Sequence, residues 1–381
     1  MEPMTLKVDE LIMRPWELAD VPALTKAFAD PQVKRHMMMP QPWTDANGHN
    51  FVRQNDSRWN ADSPRWAIVD SDNILLGGAG ITRFLNDEYS VMYWTAPEAR
   101  GRNVATRALR EATRFGFDQM RLHRLCWDAI VGNHLSRLVA LKAGYTMEGI
   151  QRQGGNQRGT WRDLWMGGIL AGEIREAGEQ VENYAMLRQR AALFDLDAPT
   201  IELDNGTRLR PFHEGDLDDL TRVCQDPEVQ KWTTVPRDYQ RSDADDFLTF
   251  SRSQWTNGTG VDWALADQND RYCGTVGLSM KSFDATQARI GYYAAPWARG
   301  KGWMGTALQA AIDFSRDSLA ATTVTWDAYA GNDASWHLAK KLGFAWEGVK
   351  QRRWRHERSQ RVDIWTASLL HLLNVMDAAR T

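Results

Sequence analysis

Cysteine is scarce in this chain: Cys126, Cys224 and Cys273 are its three copies in 381 residues, and none sits in a CxxC pairing. That spacing argues against a disulfide framework and against a thiolate zinc site, and it suits a reducing, cytoplasmic compartment. Net charge is also small, a formal −3 at pH 7, which gives no general attraction to nucleic acid or anionic lipid. No apolar run approaches the length of about 18 residues needed to span a membrane. The opening residues, MEPMTLKVDELIMRPW, lack the apolar stretch of a signal peptide. The eight histidines show no ligand spacing; His134 and His337 sit at non-equivalent places, and no metal is expected.

Tryptophan, in contrast, is abundant. Its 18 copies serve either core packing or the walls of a substrate cleft, since the ring offers a broad apolar face and one donor. Hydrophobic residues make up 43% and charged residues 25%, the balance of a soluble globular chain long enough for two or three domains.

The architecture follows from an internal repeat. Residues 96–109 read APEARGRNVATRAL and residues 295–308 read APWARGKGWMGTAL. At the same offset, WDAIVGNHLSRLVALKAGYTMEG (127–149) aligns with WDAYAGNDASWHLAKKLGFAWEG (326–348). Earlier in each half, Arg14-Pro15 pairs with Arg210-Pro211, and Asp30-Pro31-Gln32-Val33 with Asp226-Pro227-Glu228-Val229. A period this long means duplicated domains, here 1–170 and 201–381, and not a solenoid. Between them, apolar residues at Ile174, Val181, Tyr184, Leu187, Ala191 and Leu193 predict one amphipathic linker helix over 171–200, ending before Pro199.

Within the second half, strands are expected at Thr207–Pro211, Trp263–Ala266, Tyr272–Leu278, Ala288–Ala294 and Thr322–Ala328. Helices are expected through Leu217–Cys224, through Met304–Phe314, and over Asp333–Leu342 with Gly343 just past its end. Two final strands flank Arg352–Arg361, and the first half repeats the order. The class is α/β. The turn Arg299-Gly300-Lys301-Gly302-Trp303-Met304-Gly305-Thr306 joins a strand to a helix N-terminus. Free amides and the helix dipole favour an anion there, glycine lets it approach the main chain, and Arg299 and Lys301 add positive charge.

This turn, followed by a strand and by Gly-Asn-x-x-Ser entering a helix that ends at Gly-Phe or Gly-Tyr, resembles the GNAT acetyltransferase superfamily. Within it the likeness is greatest to the ribosomal-protein alanine N-acetyltransferase branch, and it covers nearly the whole chain twice. The resemblance implies two tandem folds, each a mixed, mostly antiparallel sheet flanked by helices with a central V-shaped strand split. It also implies an acyl-CoA donor, acetyl-CoA or another, with its pyrophosphate on the Gly-rich turn and its pantetheine beside Asn332 or Asn133. A primary amine on a small molecule or peptide would attack the thioester.

Several positions depart from the family's pattern. The first-half turn reads Arg100-Gly101-Arg102-Asn103, with asparagine where the family keeps glycine, and in the second half Met304 replaces the last Gly/Ala, with Gly305 following it. The second half is therefore the expected catalytic one. The tyrosine acid of many relatives is replaced by Ala140 and Ala339, leaving Ser136 and Ser335 as substitutes; capping the helix is the competing role for these serines. Gly155 and Trp354 stand where the branch has a hairpin carboxylate base. Asp327, which repeats Asp128, is taken with Ser335 as catalytic, and Tyr293, Trp354 and Asp363 as substrate-binding; a satisfied structural carboxylate is the competing role for Asp327 and for Asp363, which repeats Asp163, so the base stays open, and Glu148 and Glu347 read as structural. The basic stretch Lys350–Arg361 is either a solvated hairpin or a phosphate surface. The second option keeps an aminoacyl-tRNA donor open, as in some GNAT-fold enzymes, and loss of turnover in both halves is a further alternative.

Overall fold

In a computed structural model of the chain, residues 1–84, 87–356 and 360–371 are described. The chain divides into two compact units, Met1–Glu182 and Asn183–Thr381.

The first unit opens with β1 (Leu6–Val8) and β2 (Leu11–Arg14), then the short helices α1 (Val21–Phe28), α2 (Pro31–His36), α3 (Asp45–Arg53) and α4 (Asn55–Asn60). There follow β3 (Arg65–Val69), β4 (Leu75–Arg83), β5 (Tyr89–Thr95), α5 (Val104–Asp118), β6 (Arg124–Ile130), α6 (His134–Ala143), β7 (Thr146–Gln157) and β8 (Thr160–Leu170). The second unit repeats this plan behind an extra helix, α7 (Tyr184–Phe194), with β9 (Ile201–Glu202), β10 (Arg208–Pro211), α8 (Leu217–Cys224), α9 (Pro227–Trp232) and α10 (Arg241–Asn257). It continues with β11 (Gly260–Ala266), β12 (Tyr272–Met280), β13 (Gln287–Ala294), α11 (Trp303–Asp317), β14 (Thr323–Tyr329), α12 (Asp333–Lys341), β15 (Ala345–His356) and β16 (Gln360–Leu370).

Each unit builds one eight-stranded sheet, in the orders β1-β2-β3-β4-β5-β6-β8-β7 and β9-β10-β11-β12-β13-β14-β16-β15. The sheets are mixed because the β5–β6 and β13–β14 pairs are parallel while the other pairs are antiparallel. Alternation explains the strands: Val324, Trp326 and Ala328 of β14 point into the core while the residues between them are less buried. Helical spacing explains α11, which buries Ala307, Leu308, Ala311, Ile312 and Ser315 on one face.

The linker is less helical than its apolar spacing predicts. Helix α7 begins only at Tyr184, because Gly172 and Gly178 adopt φ of 91° and 94° inside the expected span. The helix belongs to the second unit, where the buried Arg190 guanidinium donates to the carbonyls of Leu319, Phe283 and Ala285 at 2.7 Å each. The basic stretch also differs from a loop: β15 and β16 run into it, and residues 357–359 lie outside the described residues.

The repeated Arg-Pro is structural. Arg210 grips Asp216 through two bonds of 2.7 Å, and Arg14 grips Asp20 at 2.9 and 2.8 Å, tying β10 to the start of α8 and β2 to the start of α1. Both partners of the Arg210–Asp216 pair are almost fully buried. Asp216→Ala should therefore cost about 3 kcal/mol or more, because it strips a partner from a buried charge. Urea unfolding of the full chain measures this; a loss below about 1 kcal/mol would mean that Asp270, which also bonds Arg210, suffices alone.

Candidate functional site

The parallel ladder between β13 and β14 runs from Gln287↔Thr323 to Ile290↔Trp326 and then stops. Beyond it β14 continues to pair with β16 as far as Tyr329, and β13 with β12 as far as Ala294. The two strands therefore splay, and main-chain groups between Gly291 and Ala294 that face β14 have no strand partner among the described residues. In the first unit the same split starts after a single pair, Ser90↔Cys126.

Two cavities open on this split, and both are lined by Ile290, Gly291, Tyr292, Tyr293, Asp327 and Ala328. One, of about 530 Å³, lies on the α11/α12 side and reaches Gly300, Gly302, Gly305, Asn332, Ser335 and Lys341. The other, of about 690 Å³, lies on the α8/α10 side and reaches Cys224, Asp243, Phe247, Gln254 and Asp262.

On the first side, Gly300 and Gly302 take φ of 76° and 77°, which only glycine or asparagine adopts readily, and no protein atom lies within 4 Å of where a Cβ would stand on either. The turn thus leaves an open approach to the first amides of α11, which lack intrahelical acceptors. Gly101 and Asn103 adopt the same conformation, with φ of 74° and 61°. The difference lies in the side chain: Asn103 Oδ1 accepts from Lys142 Nζ at 2.8 Å, across the place where Lys341 lines the second unit's cavity. Arg299 lines this cavity with its charge already paired. Its guanidinium donates to Asp226 at 2.5 Å, as Arg100 does to Asp30, and both aspartates cap a helix. Lys301 lies over the Trp303 ring, with its ammonium 4.3 Å from the ring centre. The first-unit counterpart of Lys301 is Arg102, whose carbonyl accepts from Arg107. Met304 and Gly305 also line the cavity, and Thr306 closes the first turn of α11 with its amide on Gly302 O.

The Asn-x-x-Ser helices resolve the two roles open to the serines. Asn332 Oδ1 accepts from Ser335 N at 3.2 Å and Asn133 Oδ1 from Ser136 N at 3.1 Å, so asparagine is the cap. Ser335 Oγ instead meets Tyr292 OH at 2.9 Å and accepts from Trp326 Nε1 at 3.2 Å. Tyr93 and Ser136 repeat the contact at 2.9 Å. Burial raises the Tyr292 phenol above its ordinary value, so it stays protonated. Sequence reasoning missed Tyr292 and chose its neighbour Tyr293, which points to the opposite face and lies 3.7 Å from Cys224 Sγ. The signal available was the repeat itself, which aligns Tyr292 with Tyr93 and Tyr293 with Trp94. Lys341 was missed for the same reason, and repeats as Lys142.

The carboxylates divide. Asp327 lines both cavities but accepts from Lys350 at 3.1 Å, which occupies one cation of the basic hairpin. Asp363 accepts from the amide of Arg352 at 2.9 Å, at a bulge where Arg352 has φ of 47°; Asp163 does the same for Gln153. That bond gives Asp363 a structural task at the bulge. The side chain of Trp354 lies outside the described residues. Glu148 is held by Arg124, and Glu347 accepts from Ser368.

The corresponding faces of the two units carry different side chains. Phe28 and Trp94 pack edge to face, 5.0 Å apart, in the first unit; Cys224 and Tyr293 take their places in the second, beside the 690 Å³ cavity. Burial pushes the Cys224 thiol up to about 11. The Acetyltransferase (GNAT) domain family matches residues 10–146 and again 207–345, more than two thirds of the chain. The chain belongs to the GNAT acetyltransferase family. It is 34% identical over 80 residues to a putative ribosomal N-acetyltransferase, YdaF, of Bacillus subtilis, a match covering 21% of this chain and 44% of that one. It is 27% identical over 163 residues to the uncharacterized N-acetyltransferase p20 of Bacillus licheniformis, covering 42% and 91%. Among solved structures, Mycobacterium smegmatis RimJ in complex with CoA-disulfide aligns at 21% identity and a TM-score of 0.41, over 46% of this chain and 90% of that one. The chain thus carries two GNAT domains and is an acyltransferase by family. No helix among the described residues is long and apolar enough to cross a membrane.

The left-handed turn makes one prediction for this GNAT chain. Gly302→Asn should leave stability within about 0.5 kcal/mol, as Asn103 already adopts that backbone, whereas Gly302→Val should cost about 1–2 kcal/mol. Thermal melts decide; equal melting of both variants would show that the turn does not hold the left-handed conformation.

Proposed function

We propose that the second GNAT domain is the working one and transfers an acyl group, in the first instance acetyl, from acyl-CoA to a primary amine. The observation that carries this reading is the pair of cavities meeting at one split from opposite faces. A thioester lying between β13 and β14 from the α11/α12 side would present its carbonyl to the unpaired amides of β13, and an amine from the α8/α10 side would reach the same carbon. The α11 turn and Lys341 suit the pyrophosphate, and Asn332, while capping α12, keeps its amide N–H groups for the pantetheine arm. Ser335 and Tyr292, two hydroxyls 2.9 Å apart at the split, are the groups able to return a proton to the leaving thiolate.

Of the earlier assignments, Ser335 and Asn332 keep their roles in this proposal, and Tyr293 remains a wall of the acceptor cavity. Asp327 is assigned to orienting the split through Lys350, Asp363 to the hairpin bulge, and Arg299 to holding α9 beside the turn. An acyl-CoA donor is favoured over aminoacyl-tRNA because an open helix N-terminus matches a compact pyrophosphate, and Lys350 of the basic hairpin is already paired with Asp327.

Thiol release from acetyl-CoA with an alanyl peptide, an aminoglycoside, a polyamine and an aromatic amine tests the reading. At least one amine should stimulate release by the full chain. Cys224→Phe, which installs the first domain's residue, should lower that stimulated rate roughly tenfold or more by filling the acceptor cavity, with CoA affinity little changed. Undiminished transfer by that variant, or transfer from charged tRNA without any from acyl-CoA, would refute the assignment.

A further inference from the structure

Strand register assembles a feature that neither motif nor repeat announces. Asp262 of β11 pairs with Gly277 of β12, which pairs with Gly291 of β13, so the three residues lie in one row on the acceptor face. Gly277 is a matter of space: a Cβ there would collide with Asp262 Oδ1. The carboxylate therefore leans over Gly277 toward the split. A Cβ on Gly291 would meet nothing within 4 Å, so the row stays open to the point where β13 leaves β14. Two strand spacings set the Asp262 and Gly291 Cα atoms roughly 10 Å apart, and the leaning side chain shortens that gap to about one water.

Resting on the acyl-transfer reading above, we propose that Asp262 is the general base of the second domain, taking a proton from the acceptor's ammonium group along this glycine trough. The step balances simply. R–NH3+ gives one proton to the Asp262 carboxylate, directly or through one water, and the freed lone pair forms the C–N bond as the C–S bond breaks. The nitrogen's second proton passes to the thiolate through the Tyr292–Ser335 pair, and Asp262 releases its proton to solvent.

The surroundings suit a base. Asp262 Oδ2 accepts from Gln254 Nε2 at 2.6 Å, which fixes the carboxylate and leaves Oδ1 toward the trough. Loss of water around it pushes it from its ordinary 3.8 up to about 6, against the Gln254 bond, which lowers it. A base poised there is ionised at neutral pH yet closer to its task than a surface aspartate. The charged groups lining the same cavity are Asp243 and Asp246 of α10, Arg289 of β13 and Asp327 of β14. The first domain supplies an internal contrast, because its equivalent row is Arg65, Gly80 and Met92. Arg65 is a cation that burial pushes down to about 10, and Met92 places a side chain where Gly291 has none. That row of three holds no carboxylate and is not open as the Gly277–Gly291 row is.

The full chain, acetyl-CoA and whichever amine of the panel stimulates thiol release provide the test, read as kcat/KM for the amine from pH 5 to 9. Wild type should lose activity on the acid side with an apparent pKa near 6. Asp262→Asn should fall about a hundredfold or more and lose that limb, with CoA affinity retained. Because the folded value lies above the ordinary one, the carboxylate costs stability as pH rises through the window from 3.8 to about 6. Asp262→Asn should therefore be at least as stable as wild type at pH 7.5, the opposite of losing a structural carboxylate. Gly291→Val should close the trough, lowering kcat/KM while keeping the acid limb. Full activity with an intact acid limb in Asp262→Asn overturns the proposal alone, as does a wild-type profile without an acid limb between about pH 5 and 7. Absence of amine-stimulated release in wild type overturns the transfer reading itself.

Discussion

Four parallel pairs hold β13 to β14, and the chemistry proposed for the second domain depends on the place where that ladder ends. Unpaired amides in a protein interior need partners. Here they face a gap with one cavity on each side of the sheet, and in the proposed reading a thioester between the strands would supply that partner. Helices α11 and α12 follow the two splayed strands directly, which brings the open N-terminal turn of one and the Asn332 cap of the other to a single cavity. The two cavities and the hydroxyl pair thus meet at one backbone irregularity, where the proposed donor and acceptor would meet.

The duplication lets the chain serve as its own comparison. Both domains keep the buried Arg–Asp grip, the aspartate caps that hold Arg100 and Arg299, the Asn caps, and the tyrosine–serine contact. These shared features are the frame. Among the many differences, several fall on the faces the proposed substrates would touch: Asn103 with Lys142 against Gly302 with Lys341, Phe28 and Trp94 against Cys224 and Tyr293, Arg65 and Met92 against Asp262 and Gly291. Each substitution in the first domain adds volume or removes an acid at the corresponding place. The set is consistent with one domain doing chemistry and the other supporting it.

Much of this was legible in the sequence where the determinant is local. Gly300 and Gly302 sit at left-handed positions that few other residues tolerate, so the turn announces itself, and the ordered repeats gave two α/β domains of one plan. What was not legible depends on partners distant in the chain. Tyr292 and Tyr293 are adjacent, yet strand alternation sends one to Ser335 and the other to Cys224. The pairing of Arg299 was hidden because its partner Asp226 lies 73 residues away. Asp262 carried no signal, since its setting comes from two glycines on neighbouring strands. The overlong linker helix had a local cause: apolar spacing was followed through Gly172 and Gly178, which stop a helix.

Whether the donor binds in the second split can be seen in crystals of the full chain grown with CoA. Density for CoA is expected between β13 and β14, with its pyrophosphate on the Gly300–Gly305 turn and its thiol beside Tyr292 and Ser335. CoA found only between β5 and β6, or bound away from both splits, would contradict that expectation.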